Sequence, residues 1–241
     1  MIPDEVRAAY APTGTLRAAV NHGNRVLVSR DETGEARGIT VDLARTLAET
    51  LNLPLQFVHY ERAVDVSSSV TSGDWDICFL AVDPKRAETI DFTDPYVRIE
   101  GSYLAAPATP YDTSADLVAS GDPVGSVVGS AYSLTLMRLP GAEYVVMYED
   151  IHAMLAALDS GEVRAAAGIG SVMEKEAALR PGARIVSPPF MEIRQAMAMP
   201  KGREPAATHL RTFLTDLARS GRVGDILERH GVDRDAAIQP A

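Results

Sequence analysis

The sequence lacks most of the features that mark a common function class. Its single cysteine, Cys78, excludes an internal disulfide and a cysteine-based metal cluster. Acidic residues outnumber basic ones by 33 to 23 and no basic stripe occurs, which argues against nucleic acid as a partner. No apolar run reaches the ~18 residues that a membrane span needs, and the N-terminus lacks the basic and apolar stretches of a secretion signal.

The usual catalytic motifs are also missing. The sequence has no G-x-S-x-G elbow, no P-loop and no G-x-G-x-x-G fingerprint, so common hydrolase, nucleotide-hydrolysing and dinucleotide-binding functions are excluded. Its five histidines are scattered rather than paired on a helix around a glutamate, so we expect no metal site. Cys78 lies in an apolar run, which favours burial over nucleophilic chemistry. We therefore expect no metal, no cofactor and no catalytic residue.

What the sequence does contain is an alternation of apolar runs and helical periodicity. Ala44, Leu47, Ala48 and Leu51 recur at helical spacing, which predicts a helix capped by Thr40. Apolar runs without polar alternation are typical of parallel strands that helices cover on both faces. The first predicted series is a strand over 16–20, a turn centred on 32–35, a helix from 40, a strand over 55–59, a helix over 64–72 and a strand over 76–82.

A second, smaller α/β series follows residue 95. We take the segment PATPYDTSADL (107–117) as a crossing between two lobes. The remaining predicted elements are strands over 102–106, 124–128, 144–147, 163–167 and 195–199, and helices from 130 and over 150–158, 172–178, 205–219 and 223–230. The prediction is an α/β fold of two lobes joined by crossing segments near 98–104 and 189–196. Lobe 1 is discontinuous, comprising 1–101 and 192–241, and lobe 2 comprises 102–191.

One segment makes a family resemblance specific. Residues 74–96, DWDICFLAVDPKRAETIDFTDPY, predict a strand, a turn with Pro84, a helical stretch carrying Arg86 and then Asp-Phe-Thr-Asp-Pro-Tyr. With GTLRAAV (14–20) and GITVDLARTLAETLNLPLQF (38–57), this segment resembles the amino-acid type of bacterial extracellular solute-binding proteins, family 3. The resemblance covers about residues 14–231. It implies a type II periplasmic-binding-protein fold, with hinge closure around a small ligand in an interlobe cleft.

The resemblance also implies that Arg86 holds the carboxylate of the ligand. A planar guanidinium suits this role because it forms two parallel charge-assisted hydrogen bonds. Open α/β sheets bind ligands beyond the carboxyl ends of their strands, and Arg86 follows such an end. In lobe 2, Ser130, Ala131 and Tyr132 open a helix after a strand, where backbone N–H groups could receive an anion. Ser130 would add a hydroxyl there or simply cap the helix.

Three positions depart from the family pattern. The aspartate that pairs with a ligand ammonium falls at Ile169, the hydroxyl residue of lobe 1 at Ala81, and the aromatic residue of the first loop at Asn24. The ligand therefore lacks an ammonium group or uses another carboxylate, because a buried ammonium without an anion costs several kcal/mol. Glu100 is the nearest such carboxylate, unless it is a solvated hinge residue. Further candidates for the cleft are Asn21, His22, Tyr60, Glu61 and Gln195.

We predict a monomeric binding protein for a small carboxylate-bearing metabolite, an amino acid or related organic acid, that delivers it to the permease of an ABC-type importer. One alternative is a cyclohexadienyl or arogenate dehydratase-like enzyme on the same fold. Where its general acid is expected, the sequence has Gly168, Ile169, Gly170 and Ser171, with Glu174 a turn beyond. The other alternative is a cytoplasmic ligand sensor. The resemblance implies a periplasmic location, whereas the missing signal implies a cytoplasmic one if Met1 is the native start.

Overall fold

The chain forms two compact units in the computed structural model, which describes residues 2–239. Met1, Pro240 and Ala241, which belong to the predicted lobe 1, lie outside the described residues. Unit 1 comprises the residues before Ile99 and those from Arg194 onward, and unit 2 comprises Ile99–Ile193. The chain thus passes from one unit to the other twice.

The first segment of unit 1 builds a parallel sheet with its helices. Strands β4 (Leu55–Tyr60), β1 (Leu16–Asn21) and β5 (Ile77–Ala81) are neighbours, with Asn21 opposite Tyr60 and Ala19 opposite Cys78. Their carboxyl ends therefore lie at one edge of this sheet. The elements are α1 (Asp4–Tyr10), β1 (Leu16–Asn21), β2 (Ser29–Arg30), β3 (Ala36–Arg37), α2 (Ile39–Leu51), β4 (Leu55–Tyr60), α3 (Ala63–Ser68), β5 (Ile77–Ala81) and β6 (Ile90–Phe92).

Most predicted elements of this segment are present, but two details were wrong. Thr40 does not cap α2, because the helix begins one residue earlier and Thr40 lies buried in its first turn. Gly38 precedes the helix at a φ of 127°, and a Cβ there would lie 2.5 Å from the carbonyl oxygen of Leu27. The predicted helix over 64–72 ends at Ser68, where the Ser67 and Ser68 hydroxyls donate to nearby backbone carbonyls. The short strands β2 and β3, which flank the predicted turn, were not foreseen.

The strands of unit 2 pair in both directions. They are β7 (Val97–Ala105), β10 (Ala165–Ile169), β8 (Val124–Val127) and β9 (Val145–Tyr148), as ordered in the sheet. Strand β10 is antiparallel to β7 and parallel to β8. Clusters of buried apolar side chains cover both faces, with Tyr103 and Ala167 in one and Leu104 and Ala166 in the other. The elements are β7 (Val97–Ala105), α4 (Ser114–Ser120), β8 (Val124–Val127), α5 (Ala131–Leu136), β9 (Val145–Tyr148), α6 (Ile151–Ser160), β10 (Ala165–Ile169), α7 (Gly170–Ala178) and β11 (Arg184–Pro200).

The segment 107–117 is not a crossing, because it lies within unit 2 and contains the start of α4. A reciprocal capping box begins this helix: Thr113 Oγ1 accepts from the N–H of Asp116 at 3.1 Å, and Asp116 Oδ2 accepts from the N–H of Thr113 at 2.8 Å. Strands β7 and β11 are longer than predicted. Both pass between the units, and polar or proline residues interrupt the apolar pattern of β11 before Ile193.

The chain returns to unit 1 through β11, whose Gln195 pairs with Ala81 of β5 in antiparallel fashion. Helices α8 (Glu204–Arg219) and α9 (Arg222–Arg229) follow, close to the predicted bounds. Cys78 is fully buried in β5, as expected, and burial raises the pKa of its thiol. Among residues 2–239, no helix has both the length and the apolar character needed to cross a membrane.

A buried carboxylate joins three elements of unit 1. Asp76 is completely buried just before β5 and accepts hydrogen bonds from Arg17 Nε at 2.9 Å and Nη2 at 2.8 Å. Arg203, which precedes α8, donates to Asp76 Oδ1 at 2.8 Å. Burial alone would raise the pKa of Asp76, but the hydrogen bonds from Arg17 and Arg203 outweigh it and lower the pKa. The carboxylate thus stays ionised and ties β1, β5 and α8 together.

Replacing Asp76 with asparagine should therefore destabilise the protein by roughly 3 kcal/mol, because two partly buried guanidinium groups lose their anion. Urea denaturation at pH 7 measures the loss. Because the folded pKa is depressed, the stabilisation by Asp76 is complete above its ordinary value of 3.8 and is lost as pH falls below it. Asp74→Asn, at an exposed neighbour, is the matched control. Equal stability of the two variants would contradict this role.

Candidate functional site

The carboxyl edge of the unit 1 sheet gathers several of the predicted site residues. The loop after β1 carries His22 and Asn24, β4 ends at Tyr60, and β5 ends at Ala81. Gly23 lies so close to the end of β4 that a Cβ would stand 2.7 Å from the carbonyl oxygen of Glu61. The first loop therefore packs directly against the end of β4, and its glycine is a requirement of that contact.

Arg86 is held by the turn that follows β5. Only 5% of the residue is exposed, and its Nη1 donates to the carbonyl oxygen of Ala81 at 3.0 Å. Asp83, also buried, organises the turn by accepting the N–H of Lys85 at 2.9 Å. Burial lowers the pKa of Arg86 and the charge of Asp83 opposes that shift. Because an arginine remains protonated in proteins, the turn presents a largely desolvated cation.

Gln195 joins this group from the returning strand β11. It stands opposite Ala81 in the sheet and is 6% exposed, while its carbonyl oxygen accepts the N–H of Tyr96 at 2.8 Å. The structure therefore brings Arg86, Ala81 and Gln195 together. Ala81 accepts the hydrogen bond from Arg86 with its backbone carbonyl. The methyl side chain of Ala81 gave no indication of this role.

Asn24 and Tyr60 differ in how their polar groups are satisfied. Asn24 is buried, and its Oδ1 has no hydrogen-bond partner among the described residues. The hydroxyl oxygen of Tyr60, in contrast, accepts a hydrogen bond from Ser69 Oγ at 3.0 Å. Ser69 Oγ in turn accepts a hydrogen bond from Trp75 Nε1 at 3.0 Å. The hydroxyl of Tyr60 is thus engaged inside unit 1, whereas Asn24 retains a buried acceptor.

A histidine pair stabilises the same loop. His22 Nε2 lies 2.9 Å from His59 Nδ1, and the planes of the two rings are nearly parallel, at an angle of 12°. Burial lowers the pKa of His22, the positive charge of Arg30 adds to this effect, and Glu61 opposes it. Glu61 also forms an ion pair with Arg30 at 2.5 Å. A neutral His22 therefore suits this contact, in which one imidazole donates and the other accepts.

In unit 2, the predicted anion site at α5 is a capped helix end. Ser130 Oγ accepts the N–H of Ser133 at 3.0 Å and donates to the carbonyl oxygen of Val127 at 2.8 Å. Ala131 is the first residue of this short helix. Tyr132 packs against the apolar cluster around Tyr103, and burial raises its pKa to about 12. Capping is thus the role that the structure displays for Ser130.

Ile169 and Glu100 lie next to each other in unit 2. Ile169 ends β10 opposite Gly101 of β7, which places Glu100 beside Gly170 at the start of α7. A Cβ on Gly170 would stand 3.5 Å from Glu100 Cβ. The structure therefore places the exposed residue Glu100 beside Gly170, one residue after the apolar Ile169.

Within residues 2–239, no group of three or more His, Cys, Asp or Glu side chains is arranged to hold a metal ion. Sequence reasoning missed one residue of interest, Asp83. The Asp-Pro turn before Arg86 was a usable signal for it, since an aspartate commonly accepts backbone N–H groups in such a turn.

The sequence profile of the bacterial extracellular solute-binding proteins, family 3, matches residues 16–233. The chain belongs to this family. A sequence comparison of this solute-binding protein with curated proteins gave no significant match.

Solved structures resemble this solute-binding protein along most of its length. A mutant of ArgBP from T. maritima has a TM-score of 0.77 at 20% identity and covers 94% of this chain and 99% of its own. A histidine kinase sensor domain with similarity to periplasmic binding proteins has a TM-score of 0.78 at 20% identity, covering 94% and 98%. The ancestral amino acid-binding protein AncCDT-1, a precursor of cyclohexadienyl dehydratase, has a TM-score of 0.75 at 19% identity, covering 92% and 97%. These likenesses confirm the predicted α/β fold of the type II periplasmic binding proteins.

Acidification should destabilise the first loop, because protonation of His22 disrupts its contact with His59. Since its folded pKa is lowered, the stability that neutral His22 contributes is complete above the ordinary value of 6.5 and is lost as pH falls below it. When the pH is lowered from 7 to 5, urea denaturation of the wild type should show that His22 contributes a loss of about 1 kcal/mol in the free energy of unfolding. This contribution should be absent in His22→Gln, because the amide does not titrate. The control is His152→Gln at an exposed position. An unchanged pH dependence in His22→Gln would refute this assignment.

Proposed function

We propose that this solute-binding protein binds a small carboxylate-bearing metabolite, an amino acid or a related organic acid, with Arg86 as the carboxylate ligand. The observation that supports it most is the burial of Arg86 at the carboxyl end of β5, held by the turn that Asp83 organises. A desolvated guanidinium gains more from a bidentate carboxylate than an exposed one, because water competes less. The interlobe cleft and its closure on the ligand stay predictions.

Buried polar groups near Arg86 support a ligand with further polar atoms. Asn24 Oδ1 is an acceptor without a partner among the described residues, and Gln195 adds a buried amide next to Ala81. An unsatisfied buried acceptor costs about 1–3 kcal/mol, which a ligand N–H or O–H would recover. We assign Asn24 and Gln195 to the ligand, whereas the hydroxyl of Tyr60 is already engaged with Ser69.

A binding role is favoured over catalysis. The family consists mainly of binding proteins, and ArgBP is a binding protein by name. AncCDT-1 is described as a precursor of a dehydratase, which keeps the enzyme alternative open. Against it, Gly168, Ile169, Gly170 and Ser171 have no carboxylate of their own to act as a general acid, and the neighbouring Glu100 on β7 and Glu174 on α7 are both exposed.

We further propose delivery of the ligand to the permease of an ABC-type importer, by a monomer located in the periplasm. This rests on membership of the solute-binding family. The similarity to a histidine kinase sensor domain supports ligand sensing as a second candidate function. Ligand recognition through Arg86 is common to both.

A ligand screen with an Arg86 variant tests the proposal. The midpoint temperature of thermal unfolding of the wild type should rise by several degrees in the presence of one or more amino, keto or hydroxy acids. The reason is that a ligand that binds only the folded state stabilises it. Arg86→Lys keeps the positive charge but loses the planar guanidinium that binds a carboxylate with two hydrogen bonds. The variant should therefore bind the same acid at least tenfold more weakly.

Arg45→Lys, an exposed change on α2, serves as the control and should bind like the wild type. Circular dichroism establishes that both variants are folded. Wild-type affinity in a folded Arg86→Lys variant, or stabilisation of the wild type by sugars and amines alone, would refute the proposal.

A further inference from the structure

The outer edge of β9 is unpaired within the described part of the chain, residues 2–239. Strand β9 comes last in the order of the unit 2 strands and pairs with β8 on one side only. The carbonyl oxygen of Tyr148 accepts the N–H of Val128 at 2.9 Å, so Tyr148 directs its backbone groups toward β8. Because successive residues of a strand direct their backbone groups to opposite sides, the N–H and carbonyl groups of Met147 point away from the sheet. They form a template on which another extended chain can pair.

The sequence of β9 contains none of the residues that usually protect an edge strand. Proteins commonly block such an edge with a lysine, a proline or a bulge. Residues 145–148 are Val-Val-Met-Tyr, without charge or proline, and they pair with β8 in a regular register. Met147, at the open edge, is 38% exposed. The strand thus combines available backbone groups with side chains that favour a sheet.

A group of exposed apolar side chains lies in the turn before β9, residues 137–144. Met137, Leu139 and Tyr144 of this apolar turn are 52%, 39% and 41% exposed. Tyr144 lines the same small cavity as Leu136 of α5 and Val145 of β9, which places the apolar turn next to the strand. Exposed apolar side chains gathered in this way are typical of a surface that binds another protein.

Acidic residues flank β9 at both ends. Glu143 precedes the strand, Glu149 and Asp150 follow it, and all three are exposed. Arg138 is the single basic residue between positions 137 and 150. A segment that pairs with β9 therefore meets negative charge at each of its ends. This arrangement favours lysine or arginine on both sides of the apolar residues of that segment.

We propose that the outer edge of β9 and the apolar turn form a docking surface for an extended segment of another protein, with apolar residues flanked by basic ones. The segment adds a strand to the sheet by exchanging hydrogen bonds with the backbone of Met147. Its apolar side chains contact the apolar turn, and its basic residues lie near Glu143 and Glu149. In this mode of recognition the backbone hydrogen bonds provide affinity and alternate side chains provide specificity. The surface lies within unit 2 and does not depend on the proposed role of Arg86.

A second copy of this chain fits the edge less well. Antiparallel pairing of two β9 strands would bring the acidic residues at the carboxyl end of each strand to the acidic residue at the amino end of the other, and like charges so placed repel. A rival interpretation is that the acidic residues serve only to prevent self-association. That interpretation predicts that no segment binds, whereas the docking surface requires that a basic segment does.

Titration of the full chain with synthetic peptides tests the surface. The probe is acetyl-Lys-Val-Thr-Val-Thr-Lys-amide, and backbone amide NMR monitors its binding. The amides of β9, above all that of Met147, should show saturable shifts, because the peptide forms hydrogen bonds along this edge. The same peptide with glutamate in place of both lysines should bind at least tenfold more weakly. Equal binding of the two peptides would overturn the proposal.

Two pairs of variants localise the binding. Met147→Lys adds a positive charge to the edge and should weaken binding of the lysine peptide at least tenfold. Leu179→Lys, the same change at a 74% exposed position after α7, should not. Glu143→Gln should weaken this binding several-fold, whereas Glu174→Gln, an equal charge change at an exposed position of α7, should leave it as in the wild type.

Three further results would contradict the docking surface. The first is the absence of saturable shifts at the amides of β9, and the second is wild-type affinity in a folded Met147→Lys variant. The third is a dimer, seen by sedimentation without peptide, that Met147→Lys dissociates, since it would assign the edge to a second copy. The dispersion of the amide spectrum shows whether each variant is folded. If Met147→Lys fails to fold, Glu143→Gln keeps the test decisive, because Glu143 lies outside the strand.

Discussion

The ion pairs of Asp76 are the constraint on which the arrangement of unit 1 depends. A carboxylate buried without partners would cost several kcal/mol, so Asp76 requires both Arg17 and Arg203 in place. These contacts lie at the amino ends of β1 and β5 and at the start of α8. They fix one end of the sheet by charge, while the loops at the opposite, carboxyl end are left to hold the polar groups of the candidate site.

The candidate site places a second charged side chain in a buried position. Arg86 is nearly as buried as Asp76, and its Nη1 donates to the carbonyl oxygen of Ala81. The charge of Asp83 opposes the effect of burial on the pKa of Arg86, and the carboxylate of Asp83 also accepts backbone N–H groups of its own turn. In the proposed function, the carboxylate of the ligand adds a bidentate partner to this cation.

Much of the fold followed from the sequence because its signals are local. The apolar runs of β1, β4 and β5 and the helical spacing in α2 predict elements that the structure contains almost residue for residue. The errors arose where tertiary contacts decide. Helix α2 begins directly after Gly38, a residue that lies close to Leu27 and has no side chain to obstruct that contact. Strand β11 continues through polar residues and prolines because it is paired with neighbouring strands.

The prediction of the candidate site also used local signals. Arg86 was named from the Pro-containing turn and the motif after it, since both lie within a few residues of the strand end. Asn24 was named from its loop, but the lack of a partner for its Oδ1 could not be foreseen, because that depends on packing neighbours distant in sequence. Glu100 was named from its nearness to the crossing, while the pairing of Ile169 with Gly101 shows why it lies beside α7.

Cys78 has a practical consequence for studies of this protein in solution. The only thiol of the chain is fully buried in β5, and burial raises its pKa, so it is both inaccessible and protonated at neutral pH. A cysteine introduced on the surface of each unit would thus be labelled without first removing the native one. The distance between two fluorophores placed in this way would report directly on the separation of the units with and without ligand.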